Sequence, residues 1–193
     1  MKRSARAWRC YRPRSSEQWC GARSRDNPVS AIKKPPQRRR RSVRPLAPDQ
    51  VGPASIDLTL GDEIRVIVPG SDPIPLREDV DYRDWTERRS LEPGFVLDPG
   101  VTVHGITRER IELADDLCGL LEGRSRFARL GVMIHVTSAF VQPGVRNRQV
   151  LEISNVSGRA LSLFPGVRIC QLVVMRAEGS ARYAGRFADQ EQL

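Results

Sequence analysis

The sequence predicts an all-β protein, a distorted barrel or jelly roll that carries one short internal helix. Three observations point there. Short runs of alternating apolar and polar residues, the period of a half-buried strand, recur between residues 56 and 175. Pro-Gly pairs at 69–70, 93–94, 99–100, 143–144 and 165–166 punctuate those runs at close intervals. Only one stretch, 125–130, has helical spacing, with Phe127 and Leu130 three apart and Gly131 as its C-terminal stop. Many short strands between regular turns favour a closed or rolled sheet over a βαβ arrangement.

The elements follow in order. Ile56, Leu58 and Leu60 alternate with Asp57 and Thr59, which predicts a first strand, and 63–68 predicts a second, stopped by Pro69-Gly70. Residues 71–93 are polar and Pro-containing, with Tyr82 and Trp85 among charges, and read as an irregular excursion. Strands are then expected at 95–97, 101–106, 117–121, 132–136, 139–141, 149–154, 160–164 and 167–175. The helix at 125–130 is the odd element in such a fold, which gives it a functional interest of its own.

Composition divides the chain of 193 residues into one domain and an appendage. Residues 1–45 carry 15 Lys/Arg against Glu17 and Asp26, a net +13, so the overall +9 leaves −4 for the rest. The high isoelectric point belongs to the basic segment, and a nucleic-acid role is not implied for the domain at 46–193. The segment has no apolar periodicity and predicts a disordered tail. Three readings fit it: a nonspecific polyanion-binding tail, an Arg-rich transit peptide, or translated sequence upstream of the native start. Cys10, Cys20, Cys118 and Cys170 form no C-x-x-C pair, and neither His104 nor His135 stands at metal-ligand spacing. Cys118 and Cys170 fall in apolar runs and read as reduced core residues. No run is long enough to span a membrane and no secretory h-region opens the chain, so a cytoplasmic protein is the expectation.

Two features carry chemistry. Gly123-Arg124-Ser125-Arg126-Phe127-Ala128-Arg129-Leu130-Gly131 brackets the helix with glycines and offers backbone N–H groups, a hydroxyl and guanidinium groups to an anion such as a polyphosphate. A solvated basic helix face is the competing reading. The second feature is Glu152 within Gln149-Val150-Leu151-Glu152-Ile153. Strand period places Leu151 and Ile153 on one face, with Val150, Glu152 and Ser154 on the other. Apolar neighbours would raise the pKa of Glu152 and suit it to general-base work, unless the strand lies at an edge and Glu152 points to water. His135 alternates with apolar residues and reads as a hydrogen-bonded core or interface residue.

Taken in order, Pro53-Ala54-Ser55-Ile56-Asp57-Leu58, the Gly123-to-Gly131 segment, His135-Val136-Thr137-Ser138, Pro143-Gly144 and Val150-Leu151-Glu152-Ile153 resemble dCTP deaminase, of the dUTPase-like superfamily. Arg168-Ile169-Cys170-Gln171-Leu172 and the terminal Tyr183-Ala184-Gly185-Arg186-Phe187-Ala188-Asp189-Gln190 extend the likeness, which covers roughly 46–193. The resemblance implies a dUTPase-type (β-clip) barrel assembled as a homotrimer, with active sites between subunits. It implies hydrolysis of dCTP to dUTP and ammonia without zinc, feeding dUMP and dTTP synthesis, with Mg²⁺ bound through the substrate triphosphate. Glu152 falls on the catalytic glutamate, which takes a proton from water and passes it toward the ring and the leaving amine. Ser125 and the carbonyl of Ser138 fall where that water is held, and Arg129 falls on an arginine beside the cytosine.

The likeness puts Arg124 and Arg126 in the triphosphate segment, and Val150 and Gln142 among the nucleotide contacts. Gln171 matches a nucleotide-contacting glutamine, and Arg186 and Gln190 match a C-terminal segment that closes over the phosphates. Tyr183 matches at a shorter spacing. Several positions depart from the family. Arg126 stands where Ser is usual, and Ser138 where Ala is usual. Gln142 stands where an Asp precedes the Pro-Gly turn, which argues against the alternative of a bifunctional dUMP-forming enzyme or a dUTP diphosphatase. The N-terminal strand and helix of the family are expected to be replaced by the Arg-rich tail.

Overall fold

The computed structural model describes residues 41–193. Eleven strands and one short α-helix make up these residues: β1 (Ser42–Arg44), β2 (Ile56–Ile67), β3 (Thr86–Ser90), β4 (Phe95–Leu97), β5 (Thr102–Glu112), β6 (Leu117–Gly123), α1 (Ser125–Ala128), β7 (Val132–Ile134), β8 (Phe140–Val141), β9 (Arg146–Asn155), β10 (Leu161–Leu163) and β11 (Arg168–Arg176). Nine strands form one curled sheet in the order β7-β9-β5-β2-β11-β6-β8, with β1 added on β5 and β3 on β2, while β4 and β10 pair separately. All the pairings are antiparallel. The all-β class with one short internal helix is what the turn spacing predicts.

One face of the sheet closes on an aliphatic core that includes Leu58, Leu60, Ile64, Leu97, Val103, Leu121, Leu151, Ile153 and Leu172, all at 1 % exposure or less. The strands supply these residues from alternate positions. Packing is close: a Cβ on Gly105 would meet Leu60 Cδ1 at 2.6 Å and Ile153 Cδ1 at 3.0 Å, so glycine is what lets β5 approach its neighbours. Cys118 and Cys170 are buried and unpaired, as expected of core thiols, and burial pushes the Cys170 thiol well above its ordinary range.

Four expectations are corrected. The two strands expected at 56–60 and 63–68 are one strand, β2, which runs through Gly61 and Asp62 with a register shift between Leu60 and Ile64 in the pairing with β5. The stretch 71–93 is only partly irregular: Tyr82–Trp85 forms a 3₁₀ turn, and β3 then pairs with β2 through its backbone, although its residues TERRS are almost all exposed. The helix expected at 125–130 is α1, ending at Ala128, with Gly131 at φ +84° turning the chain into β7. An N-terminal strand, β1, lies within the segment expected to be a tail. Val43 of β1 is buried against the core and pairs with Ile111 of β5. Residues 1–40 of that segment lie outside the described residues.

Behind the sheet, Glu109 is buried at 2 % exposure, at the register shift between Ile106 and Arg110 on the β5–β9 ladder. Its carboxylate accepts from Gln50 Nε2 at 2.7 Å and from the Thr59 N–H at 2.8 Å, tying the turn at Pro48–Gln50 to β2 and β5. Replacing Glu109 by Ala leaves the Thr59 N–H without its acceptor and Gln50 Nε2 with only the Asp57 carbonyl at 2.9 Å and the Thr59 hydroxyl at 3.4 Å. The expected result is a loss of about 2–3 kcal/mol in unfolding free energy by urea titration, with Glu109→Gln losing less.

Candidate active site

Strand β9 shows the alternation its sequence predicts. Leu151, Ile153 and Asn155 are buried in the core, and Val150, Glu152 and Ser154 are half-buried on the opposite face. The β5–β9 register fixes what stands beside them: Ile106 opposite Val150, His104 opposite Glu152, and Thr102 opposite Ser154, whose hydroxyls lie 2.8 Å apart. On β2 the residue paired with His104 is Arg65. Arg65, His104 and Glu152 therefore form a row across three strands on one face, because antiparallel partners project the same way.

The row continues to His135, which follows β7. Its backbone N–H donates to the Glu152 carbonyl at 2.8 Å, and its Nδ1–H donates to Glu152 Oε2 at 2.7 Å. His135 holds φ at +51°, a left-handed conformation uncommon for a side-chain-bearing residue. That turn of the backbone lets one residue end the strand and aim its ring at the carboxylate. Strain of this kind is concentrated at functional sites.

A cavity of about 390 Å³ opens over this face. Glu152, His104, His135 and Val150 line its sheet side, and Ser138, Phe140, Val141, Gln142 and Val145 come from the hairpin around Pro143. Asn147, Arg148 and Gln149 extend it along β9, and Tyr82, Tyr183, Phe187 and Gln190 close the outer wall. The C-terminal segment is held there by its own chain. The Arg148 N–H donates to the Gln190 carbonyl at 2.9 Å, Asn147 Nδ2 to the Phe187 carbonyl at 2.7 Å, and Gln190 Nε2 to the Tyr82 hydroxyl at 3.4 Å.

The residues singled out in the sequence are thus divided. Glu152, Ser138, Gln142, Val150, Tyr183 and Gln190 meet in the cavity. Arg186 lies beside it, paired with Asp81 at 2.6 Å. Arg124 is turned back to Asp57 at 3.1 Å and to the Arg168 carbonyl at 3.2 Å. Gln171 accepts from Ser55 Oγ at 2.8 Å. Ser125, Arg126 and Arg129 are exposed on α1 and the turn after it, and none of the three lines the cavity. His104, His135 and Tyr82 are among the cavity residues that sequence reasoning did not place at the site. The signal for His104 was its position between Val103 and Gly105, off the core face and in step with Glu152 once the strands are paired. Among the described residues no group of three or more His, Cys, Asp or Glu is placed to hold a metal ion, and no helix is long and apolar enough to cross a membrane.

The electrostatics of Glu152 correct the expected direction. Burial is the largest single influence and raises its pKa, as apolar neighbours predict. The hydrogen bond and charge interaction with His135, its backbone hydrogen bond and the charge interaction with His104 together outweigh burial, and the carboxyl ends below the ordinary glutamate range. Glu152 is therefore ionised at neutral pH. The pKa of His104 is shifted down as well. Burial holds it below the ordinary histidine range, and Arg65 adds to that against the pull of Glu152.

A depressed carboxyl stabilises the fold above the ordinary glutamate range and loses that contribution as the pH falls through its lower value. Replacing His135 by Leu removes the hydrogen bond responsible. The gap in unfolding free energy between the two proteins should be widest near neutrality and shrink between about pH 5 and pH 3, as read by urea titrations at a series of pH values.

Comparison with known proteins adds family context. A family model described as dCTP deaminase-like matches residues 28–177. A protein of Coprothermobacter proteolyticus named "dCTP deaminase, dUMP-forming" is 40% identical over 136 residues, covering 67% of this chain and 70% of that protein. A Haloarcula marismortui protein named "dCTP deaminase" is 37% identical over 164 residues, covering 77% of this chain and 84% of the other. The solved structure of 2'-deoxycytidine 5'-triphosphate deaminase from Agrobacterium tumefaciens superposes with a TM-score of 0.58 at 24% identity, covering 72% of this chain and 44% of that one. That likeness is one of fold, and this chain spans less than half the length of the solved protein.

Proposed function

The chain belongs to the dCTP deaminase-like family, and from that premise we propose that it hydrolyses dCTP to dUTP and ammonia, with Glu152 as the proton carrier. The observation that carries the reading is the Glu152 carboxylate, ionised, held by His135 at 2.7 Å and facing a cavity of about 390 Å³. In this reading Glu152 takes a proton from a water as its oxygen attacks C4 of the cytosine. It then passes protons to the ring nitrogen and to the departing amine, so that one water enters and one ammonia leaves. The Ser138 backbone beside the cavity and the hydroxyl of Ser125 hold the water, and Arg129 faces the charge that develops on the base. Zinc has no part in the reaction, and Mg²⁺ arrives with the triphosphate as part of the substrate.

Gln142 favours dUTP over dUMP as the product. It lines the cavity at the hairpin where the resemblance expects a carboxylate, and an amide cannot accept the proton of a water that attacks phosphate. Several relatives are named dUMP-forming, and separating the products distinguishes the two readings. Incubation of dCTP and Mg²⁺ with the protein should release ammonia and dUTP without pyrophosphate. Pyrophosphate in equal amount would establish the second reading. Glu152→Gln should lower kcat by about 10³-fold or more while leaving nucleotide binding intact, measured by ammonia release and by calorimetry.

The division of the site residues supports an assembly in which α1 of one copy completes the cavity of another, the homotrimer of the resemblance. Ser125 and Arg129 are exposed and outside the cavity of their own chain. Co-expression of Glu152→Gln and Arg129→Ala chains should restore ammonia release that each lacks alone. Mixed assemblies in that case contain interfaces with both residues intact. A mixture as inactive as its parts would place the two residues in one chain's site.

A further inference from the structure

If Glu152 takes and returns a proton, as the preceding reading holds, then the groups facing its carboxylate decide when it can. His135 grips one oxygen from the β7 side. From the other side stands His104, its register partner on β5, at the close lateral spacing of opposed antiparallel residues. Around His104 the remaining groups are Arg65, next in the row on β2, and Tyr82, whose ring meets the imidazole edge-on at a centroid distance of 5.2 Å. The Arg65 guanidinium lies 5.9 Å from the Tyr82 ring centroid and is fixed by Thr86 Oγ1 at 2.7 Å and by the Arg83 carbonyl at 2.9 Å. His104 Nδ1 is buried with no hydrogen-bond partner among the described residues. The next pair along the ladder, Ile106 and Val150, shows that an aliphatic side chain suits this face of the two strands. A histidine with an unsatisfied buried nitrogen is the poorer choice for packing alone.

We propose that His104 is a positioning residue for Glu152: standing beside the carboxylate on the side opposite His135, it sets the pH at which the site loses its charged form. The inference rests on Glu152 being the proton carrier. As the pH falls, the imidazole gains a proton, and its charge opposes protonation of the carboxylate beside it. Protons thus bind to the pair as a pair, and Arg65 and burial keep the imidazole from taking one at neutral pH.

The test follows the Glu152 carboxyl directly by carbon NMR of the full chain with labelled glutamate, the resonance being assigned by its loss in Glu152→Gln. His104→Leu and His104→Asn are compared with the unaltered protein, and thermal melts establish that each variant folds. Both substitutions should raise the Glu152 titration midpoint by about one pH unit. The acid limb of kcat/KM for ammonia release should move up with it, while KM at neutral pH changes less than twofold. Leucine alone raising the midpoint would mean that drier packing, and not the imidazole, is responsible, and would overturn the proposal. So would midpoints unchanged in both variants. Absence of ammonia release by the unaltered protein would sink the deaminase reading, and the NMR titration would still decide the role of His104.

Discussion

The register of β5 against β9 is the constraint on which the rest of the structure depends. Val103 stands opposite Ile153 and Gly105 opposite Leu151 on the core face, and Gly105 admits Leu60 and Ile153 where any side chain would collide. The same register sets His104 against Glu152 on the other face. A slip of one residue would bury the carboxylate in aliphatic packing and expose Leu151 and Ile153 to water, so the hydrophobic demand of one face specifies the chemistry of the other. The site residues on the sheet thus take their alignment from the core behind them.

What was legible in the sequence was the part written in local pattern. The alternation in Gln149-Val150-Leu151-Glu152-Ile153 is preserved in the strand, down to which side each residue takes. What was not legible arises from pairing between distant segments. Strand β3 consists of polar residues and owes its existence to the backbone of β2, so no periodicity could announce it. Val43 is a single apolar residue in a basic context, and only its place beside Ile111 makes it core. For Glu152 the local apolar neighbours pointed to a raised pKa. The opposing influence comes from His135, seventeen positions away and brought in by a left-handed turn that local sequence does not reveal.

The outer wall of the cavity is built from the two segments with least regular structure, and they are tied to each other. Arg186 pairs with Asp81, Gln190 reaches the Tyr82 hydroxyl, and the Gln190 carbonyl takes the Arg148 N–H on β9. Asp81 also accepts from the Arg83 N–H at the start of the 3₁₀ turn, and these contacts hold its carboxyl below the ordinary range. Exposed ion pairs of this sort contribute little each. Their effect is geometric: Tyr82 is kept over His104 from one side, and the C-terminal segment is kept along β9 from the other. Movement of either segment would open the cavity while leaving the sheet intact, since the turn bearing Asp81 and Tyr82 precedes β3 and the C-terminal segment follows β11.

The placement of α1 gives the last step. A four-residue helix has too few aligned peptides to gather an anion by its dipole, so the chemistry of this segment lies in its side chains. Of these, Arg124 is engaged by Asp57 and the Arg168 carbonyl, and the Arg168 side chain is in turn paired with Asp49. That network fixes the start of the helix to β2 and β11, while Ser125, Arg126 and Arg129 are left projecting outward. Beside them stand exposed apolar residues, Leu130 at 58 % and Val136 at 57 %, and Phe127, Leu130 and Phe164 line an apolar groove. A rigidly seated turn that carries polar and cationic groups next to uncovered apolar surface is suited to meeting another chain. In the proposed assembly the residues of the anion segment and the carboxylate of β9 would meet in one site, because within a single chain Ser125, Arg126 and Arg129 project away from the cavity that Glu152 lines.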